Sequence, residues 1–202
     1  MINKTNDDVL DAIRGFFKQI FELKRRGDGY AYAEYKVGWL SQLGLSPSDR
    51  DEAKASRTTK KLQEYLKNKF GDRLSMEARV AEGMTLRFAC DNVNNVNSEA
   101  INIDSKKLQA FDILDIGTGT AFEISLSDAF AEFFKDVLKA LLDSRVKSLC
   151  ICMRNHDYKG AKKSGYLKVK DSSMVQQYIS LARLYKLDIL LVDLFPECNE
   201  RL

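Results

Sequence analysis

One segment, residues 111–125, limits the folds open to this chain more than any other stretch. Two apolar runs flank the turn sequence at residues 117–120, and each run carries one acid, Asp112 in the first and Glu123 in the second. The pattern is compatible with two structures. In one, a strand, a glycine loop and a helix bind a cofactor; in the other, two strands form a hairpin.

The hairpin interpretation brings the two acids together. A two-residue loop at Thr118 and Gly119 would pair residue 117 with 120 and place Asp112 opposite Ser125. Because side chains alternate across a strand, Asp112, Glu123 and Ser125 would then share one face. Paired carboxylates bind hard divalent cations such as Mg²⁺, which activate water for phosphodiester hydrolysis. The hairpin is therefore compatible with a magnesium site and also with a solvent-facing hairpin whose acids are incidental.

The cofactor interpretation rests on residues 113–120, which are similar to the first motif of S-adenosylmethionine-dependent methyltransferases. Two features disfavour it. Residues 121–125 continue as a strand and not as a helix, and the next strand ends at residues 150–154 without an acid for the cofactor ribose. We therefore adopt the hairpin interpretation and keep the methyltransferase as a less favoured alternative.

Length and composition predict a single domain of mixed α/β class. The 202 residues suffice for one core, with a mainly helical part at 1–75 and a sheet-containing core at 84–195. No run approaches the roughly 20 apolar residues of a membrane span, and from the polar start we expect no signal peptide. The spacing of the cysteines favours buried thiols in a cytoplasmic protein over a zinc site (Cys90, Cys150, Cys152 and Cys198).

Periodicity predicts helices and strands arranged around one central sheet that is covered on both faces. Helices are predicted at residues 7–26, 30–43, 56–70, 128–142 and 172–185. Strands are predicted at 84–90, 101–103, 146–153 and 187–195 in addition to the hairpin, and a basic loop at 155–170.

Basic residues cluster in two stretches, although the net charge is only +3. Residues 145–170 hold eight basic residues against one acid, and residues 54–73 hold seven against two. Such patches occur on surfaces that face polyanions and also on ordinary solvated faces. The residues predicted to contact DNA are Arg154, Asn155, His156, Lys159, Lys162 and Lys163.

The order of elements after the acids resembles the PD-(D/E)xK nuclease core, and more narrowly the BglII- and BstYI-type restriction endonucleases. The matching stretches are residues 111–113, 122–126, 128–142, 146–153, 175–178 and 189–194, with 35–40 upstream. The resemblance implies a restriction-endonuclease-like fold. It also implies a homodimeric, Mg²⁺-dependent enzyme that cuts a specific double-stranded DNA sequence. Asp112 and Glu123 would hold the metal and Ser125 would orient the water.

The chain departs from this family at Ser125, where the nuclease motif carries Lys or Gln. Three alternatives stay open: the metal alone supports cleavage, another lysine reaches the site, with Lys106, Lys107 and Lys135 as candidates, or cleavage has been lost and DNA binding kept. Asp115 is the alternative metal ligand if the turn register differs. A helix acid, Glu77 or Glu82, is a further possible ligand.

Overall fold

The computed structural model describes residues 7–25, 31–80, 109–126, 129–154 and 165–196. The strands predicted at 84–90 and 101–103 lie outside these ranges. The helices are α1 (Asp7–Ile20), α2 (Trp39–Gln42), α3 (Asp51–Phe70), α4 (Ala129–Leu142), α5 (Gly165–Lys170) and α6 (Ser173–Leu184). The strands are β1 (Phe21–Arg25), β2 (Ala31–Tyr35), β3 (Leu74–Arg79), β4 (Ala110–Asp115), β5 (Thr120–Ser125), β6 (Ser148–Met153) and β7 (Asp188–Asp193).

A five-stranded mixed sheet in the order β3-β4-β5-β6-β7 forms the centre of the fold. The first three strands are antiparallel neighbours, whereas β5, β6 and β7 run parallel. Parallel neighbours need crossover connections, and helices α4 and α6 supply them. The mixed α/β class predicted from the sequence is confirmed.

Helices cover both faces of the sheet, and each face has its own apolar core. On one face, α1, α3 and the β1–β2 hairpin pack against inward residues such as Ile113 and Phe122. On the other face, α4, α5 and α6 pack against residues such as Ala121 and Ile151. Strand β5 alternates between the two cores, with Ala121 in one and Phe122 in the other, as a strand covered on both sides must.

The β4–β5 hairpin is confirmed, but its register differs from the predicted one. Asp115 pairs with Thr120, Leu114 with Ala121 and Ile113 with Phe122, so the connecting turn has four residues instead of two. The turn closes through a hydrogen bond from Gly119 N to Asp115 O, and Gly119 adopts φ 71°. Because the predicted pairing is wrong by an even number of positions, each side chain keeps its predicted face.

The N-terminal part is less helical than predicted. The helix predicted at 7–26 ends at Ile20, and the chain continues as β1; the helix predicted at 30–43 is instead β2 followed by the short α2. Strand β2 alternates two small buried alanines, Ala31 and Ala33, with less buried residues, and it pairs with β1 through contacts such as Phe21 with Tyr35. Packing of this hairpin on the core overrides the local helical pattern.

Later elements agree more closely with the predictions. Helices α3, α4 and α6 and strands β6 and β7 are found where expected, and Ser172 caps α6 by accepting a hydrogen bond from Val175 N. The basic loop predicted at 155–170 is wrong in its last part, because residues 165–170 form α5. No helix in the described ranges is long and apolar enough to cross a membrane.

Candidate active site

Asp112 and Glu123 face each other across strands β4 and β5. The pairing of β4 with β5 extends to Ile113 and Phe122, and the next residue on each strand places Asp112 opposite Glu123. Next to this pair, Ile124 N donates a hydrogen bond to Asp112 Oδ2 at 2.8 Å, so a side-chain oxygen takes the place of a backbone carbonyl as the acceptor. The predicted pairing of Asp112 with Ser125 is therefore wrong, but the predicted shared face of the two acids is found.

Helix α4 adds a third acid, Asp136, and a lysine, Lys139, to this pair. Lys139 Nζ lies 2.5 Å from Glu123 Oε1 and 3.0 Å from Asp136 Oδ1. It also donates to the carbonyl oxygen of Ala110 at 3.0 Å. Glu123, Asp136 and Lys139 are each at most 6% exposed. The hairpin and the helix thus meet through a buried charged cluster, defined here as Asp112, Glu123, Asp136 and Lys139.

The acids of this cluster hold protons more tightly than free carboxylic acids do. Burial raises the pKa of Asp112, although the hydrogen bond from Ile124 N opposes it. Burial, reinforced by the carboxylates of Asp136 and Asp112, raises the pKa of Glu123. Burial also raises the pKa of Asp136, to about 6. With the acids ionised, the cluster holds three carboxylates and one ammonium, which leaves two negative charges.

Burial alone would lower the pKa of Lys139, but the carboxylates of Glu123 and Asp136 more than offset this effect and the pKa is raised. Lys139 is therefore an ammonium at neutral pH. One positive charge cannot balance the acids around it, and titratable groups perturbed in this way are concentrated at functional sites.

The charged cluster lies in a cleft of about 440 Å³ between α3 and α4, with strands β3, β4 and β5 at its base. Gln63 on α3 fixes one wall by donating to the carbonyl oxygen of Asp112 at 2.8 Å. Ser125 also lines the cleft, and its Oγ is buried with no hydrogen-bond partner among the described residues. A buried hydroxyl without a protein partner is a place where a water molecule or a ligand binds.

Glu77 lines the same cleft but lies on a strand, so the prediction of a helix acid is wrong in its element. It sits in β3 between Met76 and Ala78, whose partners are Ile113 and Phe111, and this register places it opposite Asp112. Its backbone adopts φ 49°, which is rare for a residue with a side chain. The exposed Glu77 therefore stands in one row with Asp112 and Glu123 across three neighbouring strands.

Asp115, the alternative metal ligand, is engaged elsewhere. Its carboxylate accepts hydrogen bonds from Arg73 at 2.7 and 3.0 Å and from Gly117 N at 3.0 Å. It lies three residues beyond Asp112, on the opposite face of the strand. The geometry favours Asp112 over Asp115 as the partner of Glu123.

The other predicted residues are placed as follows. Arg154 donates to the carbonyl oxygen of Ala33 and its guanidinium lies 4.8 Å from the Phe21 ring centroid, so it joins the β1–β2 hairpin to the end of β6. Lys135 lines the cleft and pairs with Glu132. Contact of Arg154 with DNA stays a prediction. Lys106, Lys107, Glu82, Asn155, His156, Lys159, Lys162 and Lys163 lie outside the described residues, as do Cys90 and Cys198, while Cys150 and Cys152 are buried thiols as predicted.

Sequence reasoning missed Asp136 and Lys139, although a signal for them exists. On α4 the apolar stripe of Phe133, Val137 and Ala140 is accompanied by a neighbouring charged row at helical spacing, Glu132, Asp136, Lys139 and Asp143. Asp136 and Lys139 belong to this row and are buried. Charged residues that follow an apolar stripe so closely must face other charged groups, here the hairpin acids.

The cluster fits a magnesium ion in its donor chemistry. Among the described residues, no group of three or more His, Cys, Asp or Glu side chains has the arrangement of a metal site. Mg²⁺ does not require one, because it binds through one or two carboxylates and takes its remaining oxygens from water and substrate phosphates. Asp112 and Glu123 supply such a pair, and with its acids ionised the cluster carries two negative charges, which match a divalent cation.

Comparisons of the chain with protein-family models, with curated proteins and with solved structures gave no match.

Proposed function

We propose that the protein is a Mg²⁺-dependent endonuclease that hydrolyses phosphodiester bonds of double-stranded DNA, on a restriction-endonuclease-like fold. The observation that carries the proposal is the carboxylate pair Asp112 and Glu123, which face one cleft from neighbouring strands. The net negative charge that the cluster carries when its acids are ionised adds support, as does the hydroxyl of Ser125, which has no partner among the described residues of the same cleft.

Each side chain has a definite task in this proposal. Asp112 and Glu123 would hold Mg²⁺, and the ion would supply an acidified water and neutralise charge on the attacked phosphate. The bond from Ile124 N holds one oxygen of Asp112 and so fixes how the other oxygen faces the cleft. Ser125 Oγ offers a hydrogen bond to the attacking water. In line with the resemblance of the chain to restriction endonucleases, two copies would act together, one on each DNA strand.

The test is cleavage of mixed-sequence plasmid DNA by the purified protein with Mg²⁺. We expect discrete fragments from the wild type and none from Glu123→Gln, which keeps the size of the side chain but removes its charge. Glu64→Gln, at an exposed position of α3 away from the cleft, is the matched control and should cut like the wild type. Circular dichroism checks that all three proteins are folded. Equal cleavage by Glu123→Gln and the wild type would remove Glu123 from the mechanism.

A DNA-binding protein without cleavage is the second candidate function, and Ser125 favours it. A serine at this position brings no positive charge on the strand, so the fold would retain binding while losing catalysis. This function predicts intact plasmid with Mg²⁺ together with a gel shift that weakens steeply as salt increases. Mg²⁺-dependent fragments that disappear with chelator would exclude it.

A further inference from the structure

Lys139 places a positive charge at the base of the cleft, next to the acid pair. Its ammonium contacts oxygens of Glu123, Asp136 and Ala110, all within 3.0 Å. Buried lysines are rare because burial of the charge is costly unless it is paired. These contacts fix the ammonium at one point of the cleft wall.

Strand β5 carries an uncharged residue, Ser125, at the position beside the acid pair. It lies two residues after Glu123 on β5, on the same face, and its buried Oγ has no partner among the described residues. A hydroxyl can orient a water molecule but cannot balance negative charge. The strand thus supplies a hydroxyl, and the only buried cation in the described part of the cleft comes from the facing helix α4.

We propose that Lys139 supplies from α4 the positive charge that stabilises the attacked phosphate; the inference rests on the function proposed above. In the reaction, the oxygen of a water forms a bond to phosphorus and the bond from phosphorus to one sugar oxygen breaks. The water releases one proton to solvent and the leaving oxygen takes one up, which yields a phosphate monoester and an alcohol. Negative charge grows on the phosphate oxygens between these states, where a fixed ammonium lowers the barrier.

The first experiment compares Lys139→Met with Lys61→Met in Mg²⁺-dependent plasmid cleavage. Lys61 lies on α3 outside the lining of the cleft, is 51% exposed and pairs with Glu64, so it is the matched control. We expect Lys139→Met to lower kcat by about 100-fold or more with little change in KM for DNA. We expect Lys61→Met to change kcat by at most a few-fold. Equal losses in both variants would overturn the proposal.

A binding measurement separates this role from a merely structural one. Removing the ammonium leaves three carboxylates without their cation, so Lys139→Met should bind Mg²⁺ about tenfold more tightly in calorimetry, without DNA present. A lysine that only held the site together would instead weaken both metal binding and cleavage when replaced. Weaker Mg²⁺ binding by a folded Lys139→Met would therefore refute the role.

The double variant Ser125→Lys/Lys139→Met keeps the test decisive if the single variant does not fold. It restores one ammonium to the same space from the strand, and we expect it to recover at least tenfold of the lost cleavage. A folded double variant that cleaves no better than a folded Lys139→Met, or that leaves DNA intact where Lys139→Met does not fold, would count against the proposal. If the wild type itself leaves DNA intact, the proposed function fails and this role with it; if the wild type and Lys139→Met cut equally, only the role of Lys139 fails.

Discussion

Replacement of Asp136 by Asn should stabilise the protein, and the gain should depend on pH. Asp136 is 2% exposed on α4, and burial raises its pKa from 3.8 to about 6, although Lys139 lies only 3.0 Å away. Ionisation of this carboxylate therefore lowers the stability of the folded protein. Asn has the shape of the neutral acid and removes that cost while leaving Lys139 its contacts with Glu123 and Ala110.

The magnitude follows from the two pKa values. Because the folded pKa lies above the unfolded one, the favourable contribution of Asp136 is fully present below about pH 3.8 and is lost as the pH rises through about 6. The difference, at about 1.4 kcal/mol per pH unit, amounts to about 3 kcal/mol. Asp136→Asn should thus exceed the wild type by up to about 3 kcal/mol at pH 8, and the gain should vanish near pH 4.

Urea unfolding at several pH values between 4 and 8, with a chelator present to remove divalent ions, measures this difference. The difference in the free energy of unfolding between Asp136→Asn and the wild type should grow as the pH rises. Asp72→Asn is the matched control, because Asp72 is fully exposed and its pKa is lowered by Lys67. That variant should change the stability little at any pH.

Two results would refute the reasoning. One is a loss of stability in Asp136→Asn at pH 8, which would mean that the ion pair with Lys139 outweighs the cost of burial. The other is a gain that does not vary with pH, which would point to packing instead of charge. Added Mg²⁺ should reduce the difference at pH 8, since a bound cation offsets the same repulsion in the wild type and stabilises the state that binds it.

Two further predictions concern the sheet that carries the site. Gly119→Ala should destabilise the protein by about 3 kcal/mol, because its backbone is in the left-handed region and an added Cβ would lie 2.7 Å from the Arg145 carbonyl oxygen. Gly44→Ala, also at positive φ but in open space, should cost only about 1 kcal/mol in the same urea titration. Equal losses in the two variants would contradict the clash. Arg73→Met should cost about 2–4 kcal/mol of stability, because it leaves the fully buried carboxylate of Asp115 without its cation. Thermal unfolding that matches the wild type would contradict this and show that the N–H groups of the turn are enough to stabilise the carboxylate.

The elements around the hairpin were predictable because their signals are local. An apolar stripe predicts helix α4, and short apolar runs predict β6 and β7. The acids and glycines of residues 111–125 predict the hairpin. Strands β1, β2 and β3 were not predicted. They are short and carry charged residues, and they form strands only because the core and the neighbouring strands hold them there.

The site was predictable in its acids and not in its cation. Alternation along a strand places Asp112 and Glu123 on one face in either register, so an error in the turn left that conclusion intact. The identity of the lysine depends on the rotation of α4 about its own axis relative to the sheet. Lys135 and Lys139 are one turn apart. The sequence named Lys135 as a candidate, together with Lys106 and Lys107, and did not name Lys139. Lys135 lines the cleft paired with Glu132, whereas Lys139 contacts Glu123. Tertiary packing decides between them.

The hydrogen bond from Ile124 N to Asp112 bears on how the proposed cleavage activity could be traced through evolution. Asp112 terminates the pairing of β4 with β5 through its side chain, so selection for a stable sheet would retain it even in a descendant that no longer cuts DNA. Glu123 makes no such backbone contact among the described residues, and it is buried at a cost. In a set of related sequences, substitution at Glu123 would therefore indicate the loss of the proposed cleavage, while an unchanged Asp112 would indicate only that the fold persists.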